Sequence, residues 1–144
     1  MRLRPATADD APAMGALHIA AMRTLTFLPQ MHTVDEAMAW MATDVLPNGQ
    51  AWIAEAEGEI AGYVVFTGDW IQQLYVRPDR QGRGVGSALL AHALADGRPK
   101  QLWTFQANAR ARGLYEARGF RAVSFTDGGG NEEKTPDVRY EWRP

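Results

Sequence analysis

The chain has no cysteine among its 144 residues. That removes disulfides, thiolate metal ligands and a thiol nucleophile together. Any group-transfer chemistry must then proceed without a cysteine-linked intermediate, so direct attack by an acceptor leads, with a Ser relay formally open. Long apolar runs are missing as well. Nothing approaches the ~20 residues of a membrane span, and the N-terminal MRLRPATADD has no apolar h-region. A cytoplasmic location is the resulting expectation, with no membrane partner. Net charge is only -2, which gives no broad basic face for nucleic acid, although Arg77, Arg80 and Arg83 form a local cluster suited to phosphates. The three histidines are far apart and lack metal-ligand spacing, so no metal site is expected. Repeats, low-complexity tracts and inter-domain linkers are also absent.

What is present fits a packed globule. Hydrophobic residues make up 46% and charged residues 22%, with five Trp. At this length one domain over 1–144 is expected, able to bury roughly two-thirds of its unfolded surface. Arg2 to Arg4 can form a strand. Thr7 then caps a helix from about Asp9 to Thr24, with Asp9 and Asp10 well placed in its first turn. Thr33-Val-Asp-Glu36 is a capping box opening a second helix through about Asp44, and Pro47-Asn48-Gly49 reads as a turn. From Gln50 the period becomes that of strands: Ala51–Glu55, a hairpin turn at Glu57-Gly58-Glu59, Ile60–Thr67, a break at Gly68-Asp69, then Trp70–Val76. A helix over Gly84–Ala95 connects to a strand at Gln101–Gln106, which implies a parallel pair through a right-handed crossover. Asn108 caps a helix to Arg118, and strands follow at Phe120–Phe125 and Val138–Trp142. The polar, glycine-rich segment Asp127–Lys134 reads as a mobile loop.

The densest signal lies between Ile71 and Leu94. A strand runs into an apolar helix through a turn carrying Gly82, Gly84 and Gly86. Glycine lets ligand atoms approach the main chain, and the first turn of a helix leaves N–H groups unpaired, so the corner suits an anion. It is not a P-loop, because no Lys-Ser/Thr follows the last glycine. The Gly-x-Gly-x-Gly spacing and mid-chain position also exclude the dinucleotide fingerprint. What remains is Gln81-x-x-Gly84-x-Gly86 after Leu74-Tyr75-Val76-Arg77-Pro78.

That pattern resembles the pyrophosphate loop, Gln/Arg-x-x-Gly-x-Gly/Ala, of the GNAT superfamily of acetyl-CoA-dependent N-acetyltransferases. A second match supports it: Asn108, Ala111 and Tyr115 followed by Gly119-Phe120 are similar to the family's Asn-x-x-Ala-x-x-x-Tyr helix with its Gly-Phe. The resemblance covers roughly residues 50 to 125. It implies an α/β (α+β) GNAT fold, a mixed and mostly antiparallel sheet of about seven strands with helices on both faces, whose fourth and fifth strands splay to admit the cofactor's pantetheine arm. The element order β-α-α-β-β-β-α-β-α-β-β agrees.

By that resemblance, main-chain groups of Leu74 and Val76 bind the pantetheine arm, and the Leu74 N–H lies near the thioester oxygen. The N–H groups of Gln81, Gly82, Arg83, Gly84, Gly86 and Ser87 hold the pyrophosphate, with Arg80 and Arg83 adding charge. Asn108 is both helix cap and pantetheine ligand, and Tyr115 protonates the departing thiolate. The implied activity is transfer of an acetyl group to a primary amine of a small molecule or peptide; the alternative is a non-catalytic acyl-CoA-binding module. The general base is open among Glu55, Asp69 and His18, because Gln72 and Gln73 stand where many relatives carry an acid. Acceptor choice is expected in the first two helices and their connection, where Met22, Phe27, Leu28, Met31, His32 and Trp40 supply apolar surface. Dimers are frequent in the family, and the sequence names no interface.

Overall fold

The computed structural model describes every residue from Met1 to Pro144. Seven strands form one sheet in the order β1-β2-β3-β4-β5-β7-β6. The strands are β1 (Arg2–Pro5), β2 (Gln50–Ala56), β3 (Glu59–Thr67), β4 (Trp70–Val76), β5 (Lys100–Phe105), β6 (Arg121–Phe125) and β7 (Asp137–Trp142). Only β4 and β5 run parallel. The connection between them carries helix α4 (Val85–Leu94), as the crossover rule requires.

Each face of the sheet has its own core. On one side α1 (Ala11–Arg23) and α2 (Val34–Trp40) cover Ile53, Tyr63 and Val65 with Met14, Leu17 and Met41. The two helices cross tightly at Gly15, where a Cβ would come within 2.6 Å of the Met38 nitrogen. On the other side α4 and α5 (Ala109–Ala117) seal Leu89, Leu90 and Tyr115 against Leu102, Val138 and Tyr140. Alternation along β3 feeds both layers, whereas Val138, Tyr140 and Trp142 of β7 all serve the α4–α5 side.

Two details depart from the expectation. The second helix does not stop near Asp44: it continues through a wide turn at Met41–Val45 into the short α3 (Leu46–Asn48). Leu46 N–H reaches back five residues to the Met41 carbonyl. Pro47 has no N–H to give and its ring crowds the carbonyl four residues back, so a π-type turn just before it lets the helix absorb a residue that would otherwise end it. The loop Asp127–Lys134, expected to be mobile, is crossed by hydrogen bonds of its own. Asn131 Nδ2 donates to Thr135 O at 2.7 Å and to Asp137 Oδ2 at 3.1 Å, while Asn131 Oδ1 accepts from Thr135 N–H at 3.1 Å. Lys134 Nζ closes onto Gly129 O at 2.9 Å.

A buried histidine makes stability pH-dependent. His18 on α1 packs edge-on against Tyr75 and Trp40, and its Nδ1 lies 3.1 Å from the Tyr63 hydroxyl. Burial, with a smaller contribution from the charge of His32, lowers its pKa from 6.5 to about 4. The folded state therefore holds fewer protons than the unfolded chain between those values. The stabilisation is complete above pH 6.5 and is lost as pH falls toward 4, up to about 3 kcal/mol in all. Urea midpoints should fall steeply across that window in the wild type and less so in His18→Gln. Equal slopes in the two proteins would remove His18 from the account.

Candidate active site

The site starts where β4 leaves its partner. Val65 faces Gln73 and Phe66 faces Ile71, so Gln72 is an extra residue, a β-bulge, in the β3–β4 ladder. Toward β5 the only ladder pair is Trp70 with Gln101, and beyond it the two parallel strands diverge. The Arg77 N–H donates to Ala61 O on β3 at 2.8 Å. Alternation along the strand then turns the N–H groups of Leu74 and Val76 the other way, toward the gap. The open edge is thus a row of unpaired main-chain groups, which an extended amide-bearing chain can match as an added strand.

At the end of β4 the chain turns through Pro78–Arg80 into the glycine corner. Gly82 and Gly84 have φ of +76° and +83°, a left-handed conformation that costs other residues energy, and a Cβ on either would meet nothing within 4 Å. These glycines are needed for the turn, and open space lies beside them. The first α4 bond outside the helix proper is Ala88 N–H to Gly84 O at 3.0 Å. No N–H from Gln81 to Ser87 has a main-chain acceptor, and no side chain caps the helix. Unpaired donors at the positive end of a helix dipole suit an anion.

Opposite this corner stands α5. Asn108 Oδ1 accepts from Ala111 N–H at 3.1 Å and caps the helix, which leaves its Nδ2 free to donate into the gap. About two turns later, Tyr115 is 6% exposed, with its ring packed near Phe120 and Tyr140. Its hydroxyl makes no hydrogen bond, yet no buried side-chain oxygen in the protein lacks a partner, so the hydroxyl reaches the cleft surface. Burial first, and then the neighbouring Tyr75, push its pKa well above that of an ordinary phenol. Tyr115 is thus a protonated donor at all physiological pH values.

These parts enclose one cleft of about 630 Å³. Leu74, Val76, Gln81, Gly82, Gly84, Gly86 and Ser87 line it from the β4–α4 side, and Asn108 and Tyr115 from α5. A smaller chamber of about 70 Å³ fills the wedge between β4 and β5 and shares Leu74, Tyr75, Asn108 and Tyr115 with the larger one. Arg83 is the one predicted cofactor-binding residue that does not line the cleft, and of the apolar stripe expected to choose the acceptor, Met22, Leu28, Met31, His32 and Trp40 do not line it either. Arg80 does, though its guanidinium also pairs with Glu57 at 3.0 Å. Sequence reading missed Arg110, which borders the cleft from the first turn of α5, and the wall formed by Thr24–Phe27 after α1. Phe27 belongs to the apolar stripe singled out for acceptor choice, and its ring meets Phe105 of β5 edge-on at 6.0 Å.

The suggested bases do not gather here. Glu55 is bound to Arg4 between β1 and β2. Asp69 pairs with Arg98 at 3.2 Å at the closed end of the β4–β5 pair. His18 borders neither chamber, is only weakly basic, and has Nδ1 engaged with Tyr63. Nearer the opening, the β6–β7 loop touches the α1–α2 connection through His32 Nε2 and Glu132 Oε1 at 2.5 Å. Burial, and then the charge of Glu133 on the same loop, push the Tyr75 phenol up to about 12. The described residues contain no group of three or more His, Asp or Glu side chains arranged to hold a metal.

The sequence profile of the acetyltransferase (GNAT) family matches residues 16–120. The chain belongs to the GNAT acetyltransferase family. Among relatives of this GNAT protein, peptidyl-lysine N-acetyltransferase YjaB of Salmonella typhimurium is 30% identical over 84 residues, covering 58% of each chain. The match spans little more than half of that relative. The protein named "Probable N-acetyltransferase Rv2775" of Mycobacterium tuberculosis is 30% identical over 138 residues, covering 83% of this chain and 79% of its own. The fold is that of the structure of yncA from Salmonella typhimurium with its cofactor acetyl-CoA, at a TM-score of 0.75 and 21% identity, covering 98% of this chain and 91% of that one. The seven-stranded mixed sheet opened between β4 and β5 is therefore the GNAT architecture expected from the two motifs.

Proposed function

We propose that the protein is an N-acetyltransferase that moves an acetyl group from acetyl-CoA to a primary amine by direct attack within a ternary complex. The observation that carries this reading is the unpartnered Tyr115 hydroxyl, standing where the cleft from the glycine corner meets the wedge between β4 and β5. The yncA neighbour was solved with acetyl-CoA, and the donor set here suits the same cosubstrate. Free N–H groups at the start of α4 match a diphosphate, and the unpaired β4 edge matches the amides of pantetheine.

Acetyl-CoA supplies an acyl group activated as a thioester. The Leu74 N–H, turned into the gap, donates to the acyl oxygen as negative charge develops there, a contribution of ~3 kcal/mol for one well-placed donor. Tyr115 donates a hydrogen bond to the sulfur as its bond to carbon breaks. A thiol titrates near ~8.5, so complete proton transfer from a phenol whose pKa is raised would be uphill. Tyr115 therefore stabilises the leaving thiolate chiefly as a bound donor, and water completes the protonation. The amine proton leaves to solvent. With no cysteine present, no thiol of the chain intercepts the acyl group.

YjaB is named for peptidyl-lysine, so a lysine-bearing peptide is the first acceptor to test. Glu132 and Glu133 on the loop beside the α1–α2 connection favour a cationic one. Incubation with acetyl-CoA and a panel of lysine peptides, free amino acids and polyamines should release free thiol only when an amine is present. Coenzyme A binding without amine-dependent thiol release would support the non-catalytic module instead.

A further inference from the structure

Beneath the β4 bulge lies a buried polar chain that the proposed chemistry does not yet use. Tyr63, fully buried on β3, donates from its hydroxyl to Gln73 Oε1 at 2.6 Å. Its oxygen lies 3.1 Å from His18 Nδ1. The phenol has one proton and gives it to Gln73, so His18 must carry its hydrogen on Nδ1 and donate to Tyr63. The low pKa of His18 keeps that neutral tautomer in place at physiological pH. Helix α1, strand β3 and the strand segment just past the bulge are thereby linked through three side chains.

A leucine or methionine at position 73 would fill the same space without a polar group to satisfy. The amide does something an apolar side chain could not. With Oε1 held back by Tyr63, the amide NH2 points the other way. Gln73 is only 9% exposed, and its Nε2 makes no hydrogen bond. No buried side-chain nitrogen is left without a partner, so this one reaches a surface, and Gln73 borders the chamber between β4 and β5. Gln73 faces the α1 side while Leu74, the next residue, faces α4 with its N–H in the gap. Adjacent residues Gln73 and Leu74 thus both border the chamber, and each has an unpaired donor, one on a side chain and one on the main chain.

We propose that Gln73 is a second donor to the acyl oxygen, acting with the Leu74 N–H, and that Tyr63 and His18 are positioning residues that aim its amide. This rests on the acetyltransferase reading. It gives a role to the residue that stands where an acid was sought: the position serves charge stabilisation and not proton removal.

The test is steady-state kinetics on the full chain with acetyl-CoA and the best amine from the panel. Gln73→Glu keeps an oxygen for Tyr63 but loses both donors and adds negative charge. Its kcat should fall ~10-fold or more, with KM for acetyl-CoA within about twofold. Relative to wild type, the variant should regain rate as pH falls, because a protonated carboxyl can donate again. Gln73→Met, which needs no buried charge, should show the loss without the pH-dependent recovery. Tyr63→Phe, with the amide free to turn, should fall between them and wild type. Thermal unfolding checks that each variant is folded. Folded Gln73 variants with wild-type kcat, or a fall in kcat matched by equal loss of coenzyme A affinity, would overturn the proposal. Failure of the wild-type protein to release thiol with any amine would instead sink the acetyltransferase reading itself.

Discussion

Ser87→Glu should abolish measurable coenzyme A binding while leaving the protein as stable as before or slightly more so. Ser87 is the third residue of α4, within the turn whose N–H groups have no acceptor in the protein. A carboxylate in the first turn of a helix is favourable, by about 0.3–1 kcal/mol, because it faces the positive end of the helix dipole. The same carboxylate occupies the donors meant for a diphosphate and repels it. Losing the anchor of a doubly charged group should weaken affinity by at least ~100-fold, or ~2.7 kcal/mol. Stability and binding then move in opposite directions, which a misfolded variant cannot mimic. Calorimetric titration and thermal unfolding on the same sample decide it. Unchanged affinity would mean that the diphosphate rests elsewhere.

Tyr115→Phe should lower kcat by about 100-fold to 1,000-fold with KM for acetyl-CoA and the unfolding temperature little changed. The ring is part of the core between α5 and the sheet and stays in place in the variant. Only the hydroxyl goes, and it makes no hydrogen bond within the protein, so no partner is left unsatisfied. That separates this residue from Tyr140, whose hydroxyl binds Arg112 Nε at 2.9 Å and also Glu116. Tyr140→Phe should cost stability through those orphaned groups and leave turnover largely intact. If Tyr115→Phe turns over at the wild-type rate, the leaving group does not need this donor.

The parts of the site that were legible in the sequence are those set by local geometry. A glycine with positive φ and a helix start are encoded within a few residues, so the corner from Gln81 to Ser87 could be located from spacing alone. Asn108 was legible locally as a helix cap, while its place in the site and that of Tyr115 came from the resemblance to the family's Asn-x-x-Ala-x-x-x-Tyr helix. The opening of the sheet was accessible only through family resemblance, because it depends on how β4 and β5 diverge after a single ladder pair. The roles of Arg83 and Arg110 were not readable, since a loop arginine and a helix arginine differ in direction and not in spacing. The surroundings of Gln73 were not readable for a sharper reason. The bulge at Gln72 breaks the period of two, so counting along β4 cannot say which face Gln73 takes; its partner Tyr63 lies 10 residues away along the chain, and Tyr63 in turn meets His18, 45 residues from it. Pro47 likewise reads as a stop in any local rule, and only the wide turn before it shows why the helix continues.

Of the fold-level expectations, the seven-stranded sheet and the crossover helix follow from alternation and helical spacing, which are repeated many times over. The acceptor wall is less determined. Phe27 took its place in the cleft, whereas Leu28 is buried, and nothing in their adjacent positions distinguishes them.

The central claim is that the free main-chain donors between Gln81 and Ser87 hold the diphosphate of coenzyme A. Titration of isotope-labelled protein with coenzyme A, followed by amide resonance shifts, tests it most directly. The largest displacements should fall on Gly82, Gly84, Gly86 and Ser87, with smaller ones at Leu74, Val76 and Asn108. Saturable binding that leaves the resonances of Gly82 to Ser87 unmoved would contradict it.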